Sequence, residues 1–282
     1  MKEKHTIYLV FIGLSLVICT ITAAAGYFLA KAQGTMYGVA AGLIISGIAA
    51  GSLYYLPSLF MVKLYGGKKL LKDDSPEFIE TIEEFAGIVD IPVPGFYVSE
   101  KGIPLIFTVG HDSNSASIVM THALMDILSS EELTCAIIHE MSRIKVNQTY
   151  RQTLVAFIAG ILTMFSTIAL RGALLIGIGQ EDDPAPRIIK VLTMALVAPP
   201  AALLISLTIS SNREYSIDKM AVGICKVPRV YVRMLAKIGR HFNETRHDGI
   251  NPAHGMLNIV NPLPQSKNID DYFYTLFKTH PG

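Results

Sequence analysis

Long apolar stretches alternate with polar segments along the chain. Residues 7–30 carry no charged side chain, and a second apolar stretch, residues 36–62, follows after a very short polar turn. A membrane-spanning helix needs about 20 apolar residues, so each stretch predicts a span. The short turn predicts that the two spans form a helical hairpin. The alternative for the first stretch is a cleaved signal peptide, whose apolar region is usually shorter.

A second apolar pair, residues 154–170 and 188–209, has a weaker pattern. Its length is marginal, and Pro199 and Pro200 interrupt the second member, where proline removes a helical hydrogen bond. Membrane helices tolerate such breaks when neighbouring groups satisfy the backbone. We therefore expect about four transmembrane helices, with a buried hairpin of a soluble protein as the alternative for this pair.

Lysine and arginine near the ends of the apolar stretches predict their orientation. Basic residues precede the first stretch, follow the second, precede the third and follow the fourth, whereas the loop between the third and fourth carries three acidic residues. Cytoplasmic loops are enriched in Lys and Arg, so both polar segments are expected on the cytoplasmic side. The predicted organisation is a transmembrane hairpin (1–64), a first cytoplasmic part (65–152), a second hairpin (153–209) and a second cytoplasmic part (210–282).

The polar segments have mixed α and β patterns. Ser75 and Pro76 form a helix start signal, and residues 95–100, 104–110 and 116–121 predict short strands. A further helix is expected to begin after Ser129. Neither polar segment alone is large enough for a good core. The predicted fold is therefore α+β, mostly helical, with one composite cytoplasmic domain.

Composition supports the membrane interpretation and excludes some partners. Charged residues make up 17% of the 282 residues and hydrophobic residues 51%, whereas soluble domains have about 25% charged residues. The net charge of +1 gives no indication of a nucleic-acid partner. Three scattered cysteines form neither a disulfide framework nor a metal knuckle.

The candidate chemistry begins at "AIIHEMSRI", residues 136–144. Zinc peptidases carry His-Glu-x-x-His on a helix, where two histidines four residues apart bind the metal and the glutamate is the general base. His139 and Glu140 match this motif, but Arg143 stands where the second histidine belongs. Later in the chain Glu214 and Asp218 are also four residues apart, so they share a helical face. Glu214 is a candidate third metal ligand and Asp218 a candidate partner for a ligand histidine.

Together these features resemble the HtpX-like and CAAX-prenyl-protease-like membrane zinc endopeptidases. The resemblance rests on the leading apolar pair, the block from residue 103 to residue 140, the second apolar pair and "SNREYSIDKMAV". It implies Zn²⁺ bound by His139 and Glu214, Glu140 as the general base and Asp218 as the group that orients His139. It also implies an extended polypeptide substrate that pairs with an edge strand, formed by Ser115, Ala116, Ser117, Ile118 and Val119.

Arg143 is the main departure from that family. Its guanidinium has only hydrogen-bond donors and stays protonated, so it cannot bind zinc. Either the site is metal-free and Arg143 replaces the charge of the metal by pairing with Glu140 and Glu214, or another residue such as His254 or His280 completes a weaker site. A third possibility is a substitution that inactivates an otherwise active enzyme. The chain ends with "LFKTHPG", residues 276–282, which is similar to a family motif near the C-terminus. Relatives often continue beyond this motif, so the end of the chain is either naturally short or truncated.

Two functions are therefore compared. The first is a membrane-bound zinc metalloendopeptidase of membrane protein quality control. The second is a pseudopeptidase, a membrane scaffold that keeps the peptide groove without turnover. A small transporter is disfavoured because its charged residues should lie within the spans, whereas the charged residues of this chain lie mostly outside them.

Overall fold

The computed structural model describes residues 2–175, 199–203, 205–206, 211–244 and 251–260. The helices are α1 (Lys2–Leu64), α2 (Pro76–Val89), α3 (His122–Ile127), α4 (Ser130–Lys145), α5 (Thr149–Leu175), α6 (Ser211–Cys225) and α7 (Pro228–Glu244), with a 3-10 helix at Pro252–Leu257. The strands are β1 (Lys68–Lys69), β2 (Gly95–Ser99), β3 (Ile106–Val109) and β4 (Ser117–Thr121). The chain divides into two compact units, Met1–Leu56 and Pro57–Gly282.

In the first unit, α1 folds back on itself at Lys31, whose φ of 54° lies in the left-handed region. A Cβ added to Gly38 would meet the backbone of Thr22, and one added to Gly42 would meet Cys19. Residues so far apart in sequence would be more than 20 Å apart along a straight helix. The chain is therefore a helical hairpin here, in agreement with the predicted turn, and glycine is required where the two halves approach closely.

The predicted membrane spans are only partly supported. Among the described residues, one helix, Gln33–Leu64, is long and apolar enough to cross a membrane, and a shorter apolar helix covers Ser15–Phe28. The third predicted span lies within α5, whose first half includes the fully buried Ala156 and Ala159. Most of the fourth, residues 188–209, lies outside the described residues. Four transmembrane helices are therefore not confirmed.

The second unit contains a four-stranded sheet in the order β1-β2-β4-β3. β2 and β4 are parallel, whereas β1 and β3 are antiparallel to their neighbours. Strands β2, β3 and β4 lie within two residues of their predicted bounds, and β1 was not predicted. The expectation that residues 115–119 form an edge strand was wrong, because β4 is hydrogen-bonded on both sides, to β2 and to β3. β3 is the edge strand nearest to it, and all four of its residues are buried.

Helix α4 lies at the centre of the second unit. Its N-terminus has a capping box, in which the Ser129 side chain accepts from the Glu132 amide and the Glu132 side chain accepts from the Ser129 amide. Helices α2, α6 and α7 and strand β3 pack around α4, so even polar side chains of α4 are buried. Helices α6 and α7 come from the second polar segment, so the two segments share one core.

Candidate functional site

The predicted site residues of α4 lie on its buried sides. His139 is 2% exposed, and Glu140 and Arg143 are fully buried. Glu140 faces β3, where the hydroxyl of Thr108 donates to Glu140 Oε2 over 2.7 Å. The other carboxylate oxygen, Oε1, is buried and has no hydrogen-bond partner among the described residues. Buried polar groups are usually hydrogen-bonded, so this oxygen is an exception on α4.

The guanidinium of Arg143 lies between the predicted metal ligands. Its Nη2 is 3.1 Å from His139 Nε2 and 3.6 Å from Glu214 Oε2. Its Nε is 3.5 Å from Glu140 Oε2. The structure thus brings His139, Glu140 and Glu214 together as the sequence predicted, and one cationic side chain contacts all three.

Gln152 on α5 completes this cluster. Its Oε1 accepts from Arg143 Nη1 over 2.8 Å, and its Nε2 donates to Glu214 Oε1 over 3.2 Å. Arg143 therefore has a dedicated neutral partner in addition to the two carboxylates. Gln152 was not predicted from the sequence. It lies in the first turn of α5, nine residues after Arg143.

A directional hydrogen-bond chain connects Arg143 to Asp218. Arg143 donates to His139 Nε2 because a guanidinium cannot accept. The proton of His139 is therefore on Nδ1, which lies 2.6 Å from the hydroxyl of Tyr231. Tyr231 in turn donates to Asp218 Oδ1 over 2.7 Å, and Asp218 Oδ1 is also 3.3 Å from His139 Nδ1. Asp218 is thus connected to His139 through the hydroxyl of Tyr231.

Tyr231 was not predicted from the sequence. It lies on α7, which carries no recognisable motif, and it reaches His139 only because α7 packs against α4. Burial and then the hydrogen bond to Asp218 raise the pKa of Tyr231, so the phenol stays protonated and continues to donate. The tautomer of His139, with its proton on Nδ1, is the one that leaves Nε2 available to a metal.

The charge of the cluster is balanced by Arg143. Burial lowers the pKa of the Arg143 guanidinium, whereas the carboxylates of Glu140 and Glu214 raise it, and the net shift is upward. The guanidinium therefore remains charged, as it does in nearly all proteins. It provides positive charge where buried carboxylates would otherwise repel each other.

The residues present do not fit a zinc ion. Within the described part of the chain no three His, Cys, Asp or Glu side chains are grouped so that they could hold a metal. Only His139 and Glu214 remain of the expected ligands, and both are bound to a group that offers donors alone. A structural or catalytic zinc site usually has at least three protein ligands.

His254, one of the two histidines considered as substitute ligands, does not complete the site. His254 is buried in the 3-10 helix, where its Nδ1 lies 3.2 Å from the Tyr65 hydroxyl and its Nε2 faces Gly160. Burial, and to a smaller extent the charge of Lys101, lowers the pKa of His254 to about 4. His280 lies outside the described residues.

The predicted substrate strand is not free to pair with a polypeptide. Ser117, Ile118 and Val119 belong to β4, whose two sides are already paired, and Ser115 and Ala116 lie just before it. A peptide can be added only to a free edge. The strand that directs a side chain to Glu140 is β3, through Thr108.

Comparisons with known proteins identify relatives of this chain. The chain is 28% identical over 264 residues to a homologue of the protease HtpX from Sulfurihydrogenibium sp. (strain YO3AOP1), covering 92% of this chain and 86% of that protein. It is 29% identical over 269 residues to another from Desulfatibacillum aliphaticivorans, covering 94% and 84%.

A solved structure and a family profile were also matched. The crystal structure of S. mikatae Ste24p is 16% identical with a TM-score of 0.41; the match covers 90% of this chain and 61% of that one, so the chain spans less than two thirds of its length. The profile of peptidase family M48 matches residues 73–282, which is well over half of the chain. This chain belongs to peptidase family M48.

Proposed function

We propose that this chain is a membrane-embedded pseudopeptidase of the M48 family, which holds extended polypeptide without hydrolysing it. The observation that supports this proposal best is the 3.1 Å contact between Arg143 Nη2 and His139 Nε2. Nε2 is the atom with which His139 would bind a metal, and an arginine N–H occupies its lone pair.

The physical argument concerns the water that a metallopeptidase activates. Such an enzyme needs a metal with an open position, because the metal lowers the pKa of its bound water. A divalent ion at this site would have to displace the Arg143 guanidinium from His139 and Glu214, and it would still be repelled by the remaining positive charge nearby. Without a bound metal, Glu140 has no activated water from which to take a proton.

The surroundings of Arg143 favour a natural adaptation over an isolated inactivating change. Gln152 bridges Arg143 and Glu214, and Thr108 donates to Glu140. Gln152 is thus a partner suited to an arginine, whereas Arg143 Nε and Glu140 Oε1 have no hydrogen-bond partner among the described residues. A histidine at this position would leave Gln152 Oε1 without its present donor.

Membrane location and orientation are part of the proposal. The apolar helix Gln33–Leu64 supports insertion, and the lysines and arginines beside the apolar stretches support a cytoplasmic location for residues 65–152 and 210–282. The polypeptide-binding part of the proposal comes from membership of a peptidase family rather than from a visible groove.

The second candidate is an active zinc metalloendopeptidase that acts in membrane protein quality control. One observation favours it: His139, Glu140, Glu214 and Asp218 still converge, and His139 has the tautomer that metal binding requires. This candidate requires Arg143 to move out of the cluster and a further ligand to replace it.

The test is the zinc content and casein cleavage of the full chain purified in detergent, compared with Arg143→His and with Arg143→His/Glu140→Gln. We expect the unmodified chain to contain no stoichiometric zinc, to cleave no casein and to bind fluorescent unfolded casein. We expect Arg143→His to gain zinc, and the double variant to keep zinc but show no cleavage.

Stoichiometric zinc and casein cleavage by the unmodified chain would overturn the pseudopeptidase proposal. Failure of the unmodified chain to bind unfolded casein would remove its polypeptide-binding part. If Arg143→His folds but binds no zinc, His139 and Glu214 are not vestigial ligands, and the interpretation of the cluster is wrong.

A further inference from the structure

Helix α7 has one buried apolar face and one exposed basic face. The buried face consists of Val230, Tyr231, Met234, Ile238 and Phe242. The exposed face carries Arg229, Arg233, Lys237 and Arg240, with no carboxylate between Pro228 and Asn243. These cations are spaced by three or four residues, so they lie along one side of the helix. We call this the basic face of α7.

Apolar side chains are interleaved with these cations. Val232 is 63% exposed, and the neighbouring Val227 is 47% exposed. A shallow groove on the same face is lined by Pro228, Arg229, Val232, Arg233 and Ala236. Single exposed apolar residues are common on protein surfaces, but here they lie beside the cations, so this face presents charged and apolar side chains together.

Two of the four cations also attach α7 to α4. Arg233 Nε donates to Glu132 Oε1 over 2.8 Å, and Lys237 Nζ donates to Glu132 Oε2 over 3.0 Å. Arg229 and Arg240 have no ion pair with any carboxylate in the described part of the chain. They lie 11 residues apart, which is about 16 Å along a helix, one towards each end of the basic face.

We infer that the basic face of α7 rests on an anionic lipid surface, with Arg229 and Arg240 at the phosphates and Val232 and Ala236 at the acyl boundary. Clusters of basic residues on a helix bind anionic headgroups, and an apolar side chain beside them can enter the boundary layer. The inference rests on the membrane location proposed above, and it is independent of whether the Arg143 cluster binds metal.

A nucleic acid fits this face less well. Phosphate contacts alone would not account for the exposed Val232, and bound bases usually stack on aromatic side chains. The exposed residues of α7 from Pro228 to Arg240 include no aromatic residue. An anionic bilayer accounts for both the cations and the valine.

The absence of tryptophan from the chain makes a direct test possible. The full chain carrying Val232→Trp would be reconstituted into nanodiscs of phosphatidylcholine alone, or of phosphatidylcholine with phosphatidylglycerol, each with brominated acyl chains. Leu43→Trp, in the apolar helix Gln33–Leu64, reports insertion of the chain. Ile88→Trp, exposed on α2, reports a surface for which we propose no lipid contact.

We expect the Val232→Trp fluorescence to be quenched in anionic nanodiscs and to recover at high salt, while Leu43→Trp is quenched in both lipids and Ile88→Trp in neither. Each basic residue contributes roughly fivefold to binding at an anionic surface. Adding Arg229→Gln/Arg240→Gln should therefore lower the ratio of bound to free α7 by roughly 30-fold. The charge-conserving Arg229→Lys/Arg240→Lys pair should keep the quenching.

Several outcomes would overturn the inference. Quenching of Leu43→Trp without quenching of Val232→Trp in anionic nanodiscs would contradict the α7 contact alone and leave the membrane location standing. Equal loss of quenching in the glutamine and lysine pairs would contradict an electrostatic contact. An unquenched Leu43→Trp would show that the proposed membrane location itself is wrong.

Discussion

Arg143 contacts the buried side chains of His139 and Glu140 and the partly buried side chain of Glu214. Its guanidinium contacts His139, Glu140 and Glu214 within 3.1–3.6 Å. A buried charge without a partner costs several kcal/mol. The residue that stands in place of the expected metal ligand therefore also balances charge within the fold.

We predict that Arg143→Met destabilises the protein by about 3–5 kcal/mol, because it leaves the fully buried Glu140 without a cation. Methionine keeps the unbranched stem and the helix propensity of arginine but is shorter, so the loss also includes packing and the hydrogen bonds to Gln152 and His139. The measurement is the free energy of unfolding in detergent. Lys219→Met, an exposed lysine on α6, is the matched control and should change little.

The double variant Arg143→Met/Glu140→Gln should recover part of this loss, because it removes the charge that Arg143 balanced. Additive losses in the double-mutant cycle would show that Arg143 and Glu140 do not interact as the structure indicates.

At the scale of elements, α7 is attached to the start of α4 through Glu132. This carboxylate is 2% exposed, closes the capping box of α4, and accepts from Arg233 and Lys237 of α7. Burial alone would raise its pKa, but the hydrogen bonds from Ser129, Lys237 and Arg233 lower it to about 2. The same contacts hold Tyr231, also on α7, within reach of His139.

This shift predicts a stability that depends on pH. Because the folded-state pKa of Glu132 is below its ordinary value of 4.5, the stabilisation is fully present above that value and is lost as the pH falls towards about 2. The contribution at neutral pH is up to about 3 kcal/mol. Glu132→Gln should lower the thermal midpoint at pH 7 and flatten its decline in acid.

Glu131→Gln is the control for this prediction, since the Glu131 side chain is 77% exposed and lies 3.9 Å from Arg233. It should leave the acid profile of the unmodified protein almost unchanged. Parallel acid profiles for Glu132→Gln and the unmodified protein would contradict the role assigned to Glu132.

At the scale of the whole second unit, His254 connects elements from distant parts of the chain. It lies against Gly160 of α5, and its Nδ1 is 3.2 Å from the hydroxyl of Tyr65, which follows α1. Asn251 adds to this contact, since its Nδ2 donates to the carbonyl of Gly160 over 3.1 Å. No side chain larger than hydrogen fits between α5 and the imidazole ring.

We predict that Gly160→Ala destabilises the protein by about 1–3 kcal/mol, because the new methyl group would overlap His254 Nε2. This steric cost exceeds the gain of roughly 1 kcal/mol in helix stability that alanine has over glycine. Gly87→Ala on α2, where a Cβ meets no atom within 4 Å, should instead be neutral or stabilising. Equal thermal midpoints for the two variants would contradict the packing of His254 on α5.

Local patterns predicted much of this molecule. The turn at Lys31, the three longer strands and the start of α4 follow from apolar spacing, glycine and proline positions and helix caps, which act over a few residues. The grouping of His139, Glu140, Glu214 and Asp218 followed from two helical motifs. The assignment of residues 115–119 to an edge strand was wrong, because alternation of apolar and polar residues identifies a strand but not its neighbours in the sheet.

By itself, then, the sequence determined the elements and the identity of the charged groups, including the arginine that stands where a histidine was expected. The tertiary structure decided that β4 is central, that Gln152 bridges Arg143 to Glu214, and that Tyr231 lies between His139 and Asp218. These contacts join residues up to 92 positions apart. They depend on how helices and strands pack against one another, and the local periodicity of the sequence does not predict that packing.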